Sequence, residues 1–282
     1  MTTRFALVTG GAGGLGGATS ELLLSQGWHV LVADYDEKAL AKWQGQGQWQ
    51  GRVHTIQVDV TDIASVAQAA AQVQAITGQL DAIINFAGIM AVGSLVEMPP
   101  ATIARILQVN VMGTVHINQA FFPLLKRTGD KKTAGRIVNI SSETGWETTA
   151  PFNGPYSMSK YAVESYSDAL RRELQLLHIP VIKIQPGPFK TEMTGSIERV
   201  FAQAIAQSPT FGVYIDRLAK MGADADSKAN PPQILAKVIV DAINSPSPKA
   251  SYSVKADPLR AILSYLPTRL VDWVLYKVCQ SK

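Results

Sequence analysis

Phe5-Ala6-Leu7-Val8-Thr9-Gly10-Gly11-Ala12-Gly13-Gly14-Leu15-Gly16 opens the chain with a short apolar run, followed at once by glycines. The apolar run reads as a buried strand. A helical pattern with Leu15, Ala18, Leu22 and Leu23 on one stripe follows. Strand, glycine turn and helix in this order are the setting in which N–H groups at a helix N-terminus hold the pyrophosphate of a dinucleotide. Gly10 allows the tight turn, Gly14 lets the backbone approach the phosphates, and Gly16 permits close helix packing, with Leu15 in the same cradle. A flexible surface turn could share this composition, but its position directly after the first strand argues against that.

The second apolar run, Trp28 to Ala33, ends on Asp34. A carboxylate at the tip of the second strand can accept both hydroxyls of an adenosine ribose and repels a 2′-phosphate. No Arg or Lys lies between Gly10 and Gly16, and Tyr35 follows Asp34; Lys38 is the nearest cation. The charge pattern favours NAD over NADP. The alternative for Asp34 is a cap on the helix that starts near Asp36.

Further apolar runs at 53–58, 80–84, 136–140 and 180–184 read as buried parallel strands, and helical patterns separate them at 63–76, 102–125 and 157–177. This alternation predicts an α/β fold: a Rossmann-like, doubly wound parallel sheet with helices on both faces, in one domain over residues 1–282. Right-handed crossovers place all strand C-termini on one edge, where ligands bind. The glycine turn, Asp34, Asp59, Asn85, Ser142 and Pro186 each fall at such a strand end.

Tyr156-Ser-Met-Ser-Lys160 sets a phenol and an ammonium one helical turn apart on one face. A fixed positive charge beside a phenol favours the phenolate, so the oxygen can exchange a proton at working pH. With these residues in view, the chain resembles the short-chain dehydrogenase/reductase family, of the compact single-domain type. The resemblance runs from Thr9 to about Thr191. Its motifs come in the family's order: Thr9-Gly10-x-x-x-Gly14-x-Gly16, Asp59-Val60, Asn85-Phe86-Ala87-Gly88, Asn110, Ile140-Ser141-Ser142, Tyr156-x-x-x-Lys160 and Pro186-Gly187-x-x-x-Thr191. Phe86 stands where the family usually has an asparagine. Ser142 and Tyr156 lie one residue further apart than in many members.

The resemblance implies an NAD-dependent oxidoreductase acting on CH–OH or C=O groups. It makes Tyr156 the acid–base residue, Lys160 its electrostatic partner and a ligand of the nicotinamide ribose, and Ser142 a donor to the substrate oxygen. Asn110 resembles the asparagine that holds a water in a proton relay. Asp59, Val60, Asn85, Ala87 and Gly88 would serve the adenosine side; Pro186, Gly187, Phe189 and Thr191 would line the nicotinamide pocket. The family's substrate lid corresponds to residues 192–232, rich here in apolar side chains such as Met193, Phe201 and Tyr214. Together with Trp146, Glu147 and Phe152 they are the candidates for contact with an apolar alcohol or ketone. Family members of this type usually pair through the helices at 102–125 and 157–177, so a homodimer or homotetramer is expected.

Composition narrows the classes. At 282 residues and 46% hydrophobic, the chain can bury a core without disulfides, and its single cysteine, Cys279, fits a reducing compartment. Met1 to Arg4 run straight into the first strand, no stretch has the length of a membrane span, and a cytoplasmic location is expected. The net charge of +4 is modest, and the basic cluster at Lys126, Arg127, Lys131, Lys132 and Arg136 lacks interleaved aromatics, so no nucleic-acid partner is expected. No metal site is expected. The tail over 257–282 carries apolar stripes in two helical pieces joined at Pro267, with Arg260, Arg269, Lys277 and Lys282 beside them. It reads either as packing on protein or as peripheral contact with an anionic membrane. A nucleotide-binding regulator on the same fold could dispense with Ser142, Tyr156 and Lys160. A sugar-nucleotide epimerase or dehydratase usually has a larger C-terminal substrate domain than this chain offers.

Overall fold

Among the described residues seven strands form one sheet: β1 (Phe5–Thr9), β2 (His29–Asp34), β3 (Val53–Gln57), β4 (Ala82–Asn85), β5 (Arg136–Ile140), β6 (Val181–Pro186) and β7 (Ser251–Val254). They lie in the order β3-β2-β1-β4-β5-β6-β7, and every neighbouring pair is parallel. The structure is a computed structural model that describes residues 3–44, 47–190, 197–227 and 229–280. The chain winds outward from β1 in both directions, so the crevice between the C-terminal ends of β1 and β4 is the topological switch point.

Alternate side chains of each central strand feed opposite faces of the sheet. Ala6, Val8, Val30, Val32, Ala82, Ile84, Val138, Ile140, Ile182 and Ile184 enter one core; Leu7, Leu31, Ile83, Ile137 and Val181 enter the other. The first core is closed by α1 (Gly14–Ser25), with Leu23 and Leu24, and by α9 (Pro232–Asn244), with Leu235, Ile239, Val240 and Ile243. Between them in sequence run α2 (Glu37–Gln44), α3 (Ile63–Ile76), α4 (Pro100–Leu107), α5 (Gly113–Phe121), α6 (Gly154–Leu174), α7 (Ile197–Ala206) and α8 (Gly212–Ser227). The second core takes Val66 and Val73 from α3, Ile117 and Phe121 from α5, and Leu174 from α6.

The fold is the Rossmann-like α/β architecture that the strand–helix alternation predicts. Two elements differ from the sequence expectation. The helix expected over 102–125 is broken into α4, a π-turn at Gln108–Met112, α5 and a 3-10 turn at Phe122–Leu124. Gly113 lies so close to Val60 that a Cβ there would sit 2.5 Å from Val60 Cγ2, and Pro123 ends the regular helix. The edge strand β7 was not foreseen, because Ser251 and Ser253 alternate with Tyr252 and Val254 over only four residues. The tail forms α10 (Pro258–Leu263) and α11 (Thr268–Gln280), the two pieces that Pro267 separates. Among the described residues no helix is long and apolar enough to cross a membrane.

Candidate active site

The glycine turn folds where the sequence requires it. Gly10 has φ +63, and a Cβ on Gly16 would run into the Gly10 carbonyl oxygen. Gly13 precedes α1 with no side-chain cap, so the first N–H groups of the helix face the cleft without a partner from that residue. The turn is tied to the tip of β2. Gly11 N donates to the Ala33 carbonyl at 3.1 Å, and Ala12 N donates to Asp34 Oδ2 at 3.1 Å. The capping role belongs to Asp36, whose Oδ1 accepts from Lys38 N and Ala39 N at the start of α2. Asp34 holds the glycine turn through Oδ2, accepts from Asp36 N at 3.2 Å through Oδ1, and lines the cleft.

The cleft has a volume of about 450 Å³ and runs along the C-terminal ends of the strands. One end is acidic: Asp34, Asp36 and Asp59 line it with Val60, Tyr35 and Arg105. Burial raises the Asp59 carboxyl, but the Thr61 N–H and hydroxyl at 2.8 and 2.6 Å and the Arg105 charge outweigh it, leaving the group below its ordinary pKa. Arg105 itself donates to Thr61 Oγ1 at 3.1 Å. Gly10, Gly14, Leu15 and Gly16 form the floor with Phe86, Ala87 and Gly88; Tyr156, Lys160, Ser141 and Pro186 close the other end.

Two expected site residues, Asn85 and Phe189, sit behind this surface instead. The Asn85 amide, expected to serve the adenosine side, turns inward and donates to Asn118 Oδ1 and Asn139 Oδ1, both at 2.9 Å. This polar network joins β4, β5 and α5, because a buried amide must find partners away from water. Gly187 N donates to the Val254 carbonyl at 2.9 Å, and a Cβ on Gly187 would run into the Lys255 carbonyl, which locks the end of β6 onto β7. Phe189 is buried in the first core rather than on the cleft wall. Thr191 and Met193 lie outside the described residues.

Asn110 occupies the π-turn, and that irregularity directs its amide inward. Its Oδ1 accepts from Ile89 N at 2.8 Å, and its Nδ2 donates to the Ile89 carbonyl and to Ser159 Oγ, both at 2.9 Å. The side chain thereby fixes the β4 loop against α6, one residue from Lys160.

Ser142 and Tyr156 meet through a hydrogen bond between their hydroxyls. Ser142 Oγ also accepts from Thr144 N at 3.3 Å, capping a 3-10 turn at Glu143–Gly145. Ser141 points the other way, donating to the Lys160 carbonyl at 3.4 Å. Burial pushes the Tyr156 phenol up to about 12 against the pull of the Ser142 hydrogen bond, and the Glu143 charge adds to the rise. Burial likewise lowers the Lys160 ammonium to about 8, against the attraction of Glu164. Lys160 Nζ donates to the Ile140 carbonyl at 3.0 Å and stands 5.5 Å from the Tyr156 ring centre. The spacing argument expects a phenol lowered by Lys160; here burial dominates and the sign is reversed.

Beyond Ser142, Trp146 is half-buried, while Glu147 is fully buried and faces Arg260 on α10, with Nε 3.5 Å from Oε2. Burial and the neighbouring Glu143 charge push the Glu147 carboxyl up to about 7, against Arg260. This side chain belongs to an ionic contact with the tail and not to a substrate wall. Phe152 adopts φ +64 and packs on Phe211, with ring centres 5.7 Å apart. With Phe201 it joins a small cluster around Val92, Ala204 and Ile215. The Tyr214 ring stacks under the Arg217 guanidinium at 5.6 Å. Sequence reasoning missed Tyr35, Phe86 and Arg105 on the cleft wall and Arg260 beside it. Neither Arg105 nor the tail contact had a signal in local spacing.

A family model described as short chain dehydrogenase matches residues 4–200. The chain belongs to the short-chain dehydrogenase family. The NADPH-dependent 3-dehydrocapnine reductase of Ornithobacterium rhinotracheale is 31% identical, over 97% of this chain and 96% of its own length. Human 17-beta-hydroxysteroid dehydrogenase type 6 is 32% identical, over 98% of this chain and 88% of its own. The crystal structure of a short-chain dehydrogenase from Streptomyces avermitilis superposes with a TM-score of 0.76 at 22% identity, covering 99% of this chain and 96% of that one, a likeness of fold. As a short-chain dehydrogenase, the chain is a nicotinamide-dependent oxidoreductase.

Proposed function

We propose that this short-chain dehydrogenase interconverts an apolar secondary alcohol and its ketone with NAD as preferred cofactor. The observation that carries the reading is the placement of Tyr156 and Lys160 at one end of a cleft whose other end holds Asp34, with the Ser142 hydroxyl against the Tyr156 phenol. The walls fit a dinucleotide. The glycine floor leaves no room for a Cβ at Gly16, and the N-terminus of α1 has no side-chain cap. In this reading the N–H groups of α1 hold the pyrophosphate. Asp34 accepts the adenosine ribose hydroxyls, and Lys160 donates to the nicotinamide ribose. Bound nicotinamide supplies or accepts the hydride. Ser142 donates to the substrate oxygen and steadies the charge that develops there. Tyr156, protonated at neutral pH, gives its proton to a carbonyl oxygen in reduction and takes it back in oxidation. An apolar substrate is supported by the steroid named for the human relative.

The bacterial relative is named NADPH-dependent, so cofactor choice needs its own argument. Asp34 and Asp36 both line the acidic end, and Arg105 is committed to Thr61 near Asp59. A 2′-phosphate beside Asp34 would meet like charge in a partly desolvated cleft. NAD should be preferred at least ~10-fold, a gap of about 1.4 kcal/mol, and Asp34→Ala should narrow it. Steady-state kinetics with both cofactors check this; equal or better kcat/KM with NADP defeats the assignment.

The same reading includes assembly as a dimer. On α6, Met158, Tyr161, Ser165, Ala169, Arg172 and Leu176 form one exposed stripe that continues into the following 3-10 turn. Small residues at its centre allow a second helix to approach closely. The tail does not cover this stripe. It docks α11 on α8, where Arg217 donates to the Cys279 carbonyl at 3.1 Å, and leaves Tyr265, Trp273 and Tyr276 at 82%, 57% and 59% exposure. That aromatic face, with Lys277 over the Trp273 ring, supports peripheral contact with an anionic bilayer. Light scattering at micromolar concentration should give a dimer that Ala169→Glu turns into a monomer. Sedimentation with phosphatidylserine vesicles should carry the wild type down and Trp273→Ala much less. A monomeric wild type, or equal sedimentation of both proteins, removes the respective contact.

A further inference from the structure

The tail reaches the active site through one side chain. Arg260 Nη1 lies 2.9 Å from Glu143 Oε1 and Arg260 Nε lies 3.5 Å from Glu147 Oε2. The same segment adds two more ties: Asp257 N donates to Glu143 Oε2 at 2.9 Å, and Thr148 N donates to Ser264 Oγ at 2.8 Å. On the opposite side, Tyr161 of α6 donates to the Glu147 carbonyl at 2.6 Å. Gly145 lies against α6 so closely that a Cβ there would sit 3.0 Å from the Lys160 carbonyl. The loop from Glu143 to Thr148 is therefore clamped between the tail and the catalytic helix, and it begins at the residue after Ser142.

Two carboxylates in this loop are nearly or fully withdrawn from water, at 6% and 0% exposure. Buried like charges repel, and each needs a counter-charge. The groups that face Glu143 are Arg260, Asp257, Glu147 and Tyr156; Glu147 is faced by Glu143, Arg260, Asp257 and Tyr161. Among these described groups Arg260 is the sole cation. Tyr156 in turn is faced by Ser142, by the Glu143 charge and by the Lys160 ammonium above its ring.

We infer that Arg260 is a positioning residue for the active site: from α10 it ties down the Glu143–Thr148 loop and offsets part of the Glu143 charge that faces the Tyr156 phenol. The inference rests on the acid–base role proposed for Tyr156. Without Arg260, an uncompensated carboxylate disfavours the phenolate. Alcohol oxidation needs the phenolate, so its rate climbs with pH, and loss of Arg260 should carry that climb to higher pH.

The test is the pH profile of kcat for oxidation between pH 7 and 10 in wild type, Arg260→Gln, Glu143→Gln and the double variant. Arg260→Gln should displace the profile upward by about one unit, a roughly ten-fold loss on the rising limb. The double variant should return to the wild-type position, because it removes the charge that Arg260 balances. Glu143→Gln alone should lie at or below the wild-type position, which keeps the inference testable if Arg260→Gln does not fold. A uniform loss of kcat with no displacement, not rescued in the double variant, overturns it. Failure of the underlying reading looks different: wild type would then show no nicotinamide-dependent oxidation at any pH.

Discussion

Tyr156→Phe should lower turnover by a factor on the order of 10²–10⁴ while leaving NAD affinity nearly unchanged. The substitution keeps the ring and its packing beside Lys160 and removes only the hydroxyl that bonds Ser142. What is lost is proton transfer to the substrate oxygen, a step made in the transition state. The effect should therefore appear in kcat and kcat/KM together. Single-turnover kinetics with a deuterated substrate adds a check, since the hydride step depends on the same transition state. Near-normal turnover would remove Tyr156 from the chemistry.

Lys160→Met should reduce kcat/KM by a factor of comparable order, about 10²–10⁴, and should also weaken NAD binding. One ammonium is assigned both to the nicotinamide ribose and to the charge around the phenol, so both steps lose. The fold should not suffer equally. Burial lowers the Lys160 pKa to about 8, below its unfolded value. Between pH 8 and the unfolded pKa the native state binds fewer protons than the unfolded chain, so this group makes stability rise with pH there. Its destabilising contribution is fully present below about pH 8 and fades as pH rises toward the unfolded value. At pH 7 the methionine variant should melt no lower than wild type, and its relative advantage should shrink above pH 10. Calorimetry at both pH values checks this. A large drop in Tm at pH 7 would make Lys160 a structural residue first.

The legible part of the fold is the part written in continuous apolar runs and in glycine. Val30 to Ala33, Ile83 and Ile84, and Ile137 to Ile140 are apolar at every or nearly every position because both faces of a parallel sheet are covered. Gly10 and Gly16 mark contacts that no side chain could survive. Other features were hidden for physical reasons. The π-turn at Asn110 sits beside a tertiary contact between Gly113 and Val60, which local helix periodicity does not encode. Strand β7 is too short and too polar to stand out, and it pairs because β6 offers it an edge. At the site, motif spacing brought Ser142, Tyr156 and Lys160 together. It could not show that Asn85 turns inward, since the amide partners on Asn118 and Asn139 are distant in sequence. Nor could spacing give the sign of the Tyr156 shift. That depends on how much water the folded site excludes. The Arg260 contact joins the loop after β5 to α10, 117 residues apart in sequence, and left no trace in any local pattern.

The most direct measurement is a panel of apolar secondary alcohols and ketones, steroids among them, incubated with NAD(H) or NADP(H) and followed by absorbance at the nicotinamide band. The account predicts cofactor-coupled turnover of at least one apolar carbinol or ketone, faster with NAD(H), and abolished in Tyr156→Phe. Turnover that persists in Tyr156→Phe, or tight nicotinamide binding with no turnover across the panel, would contradict it.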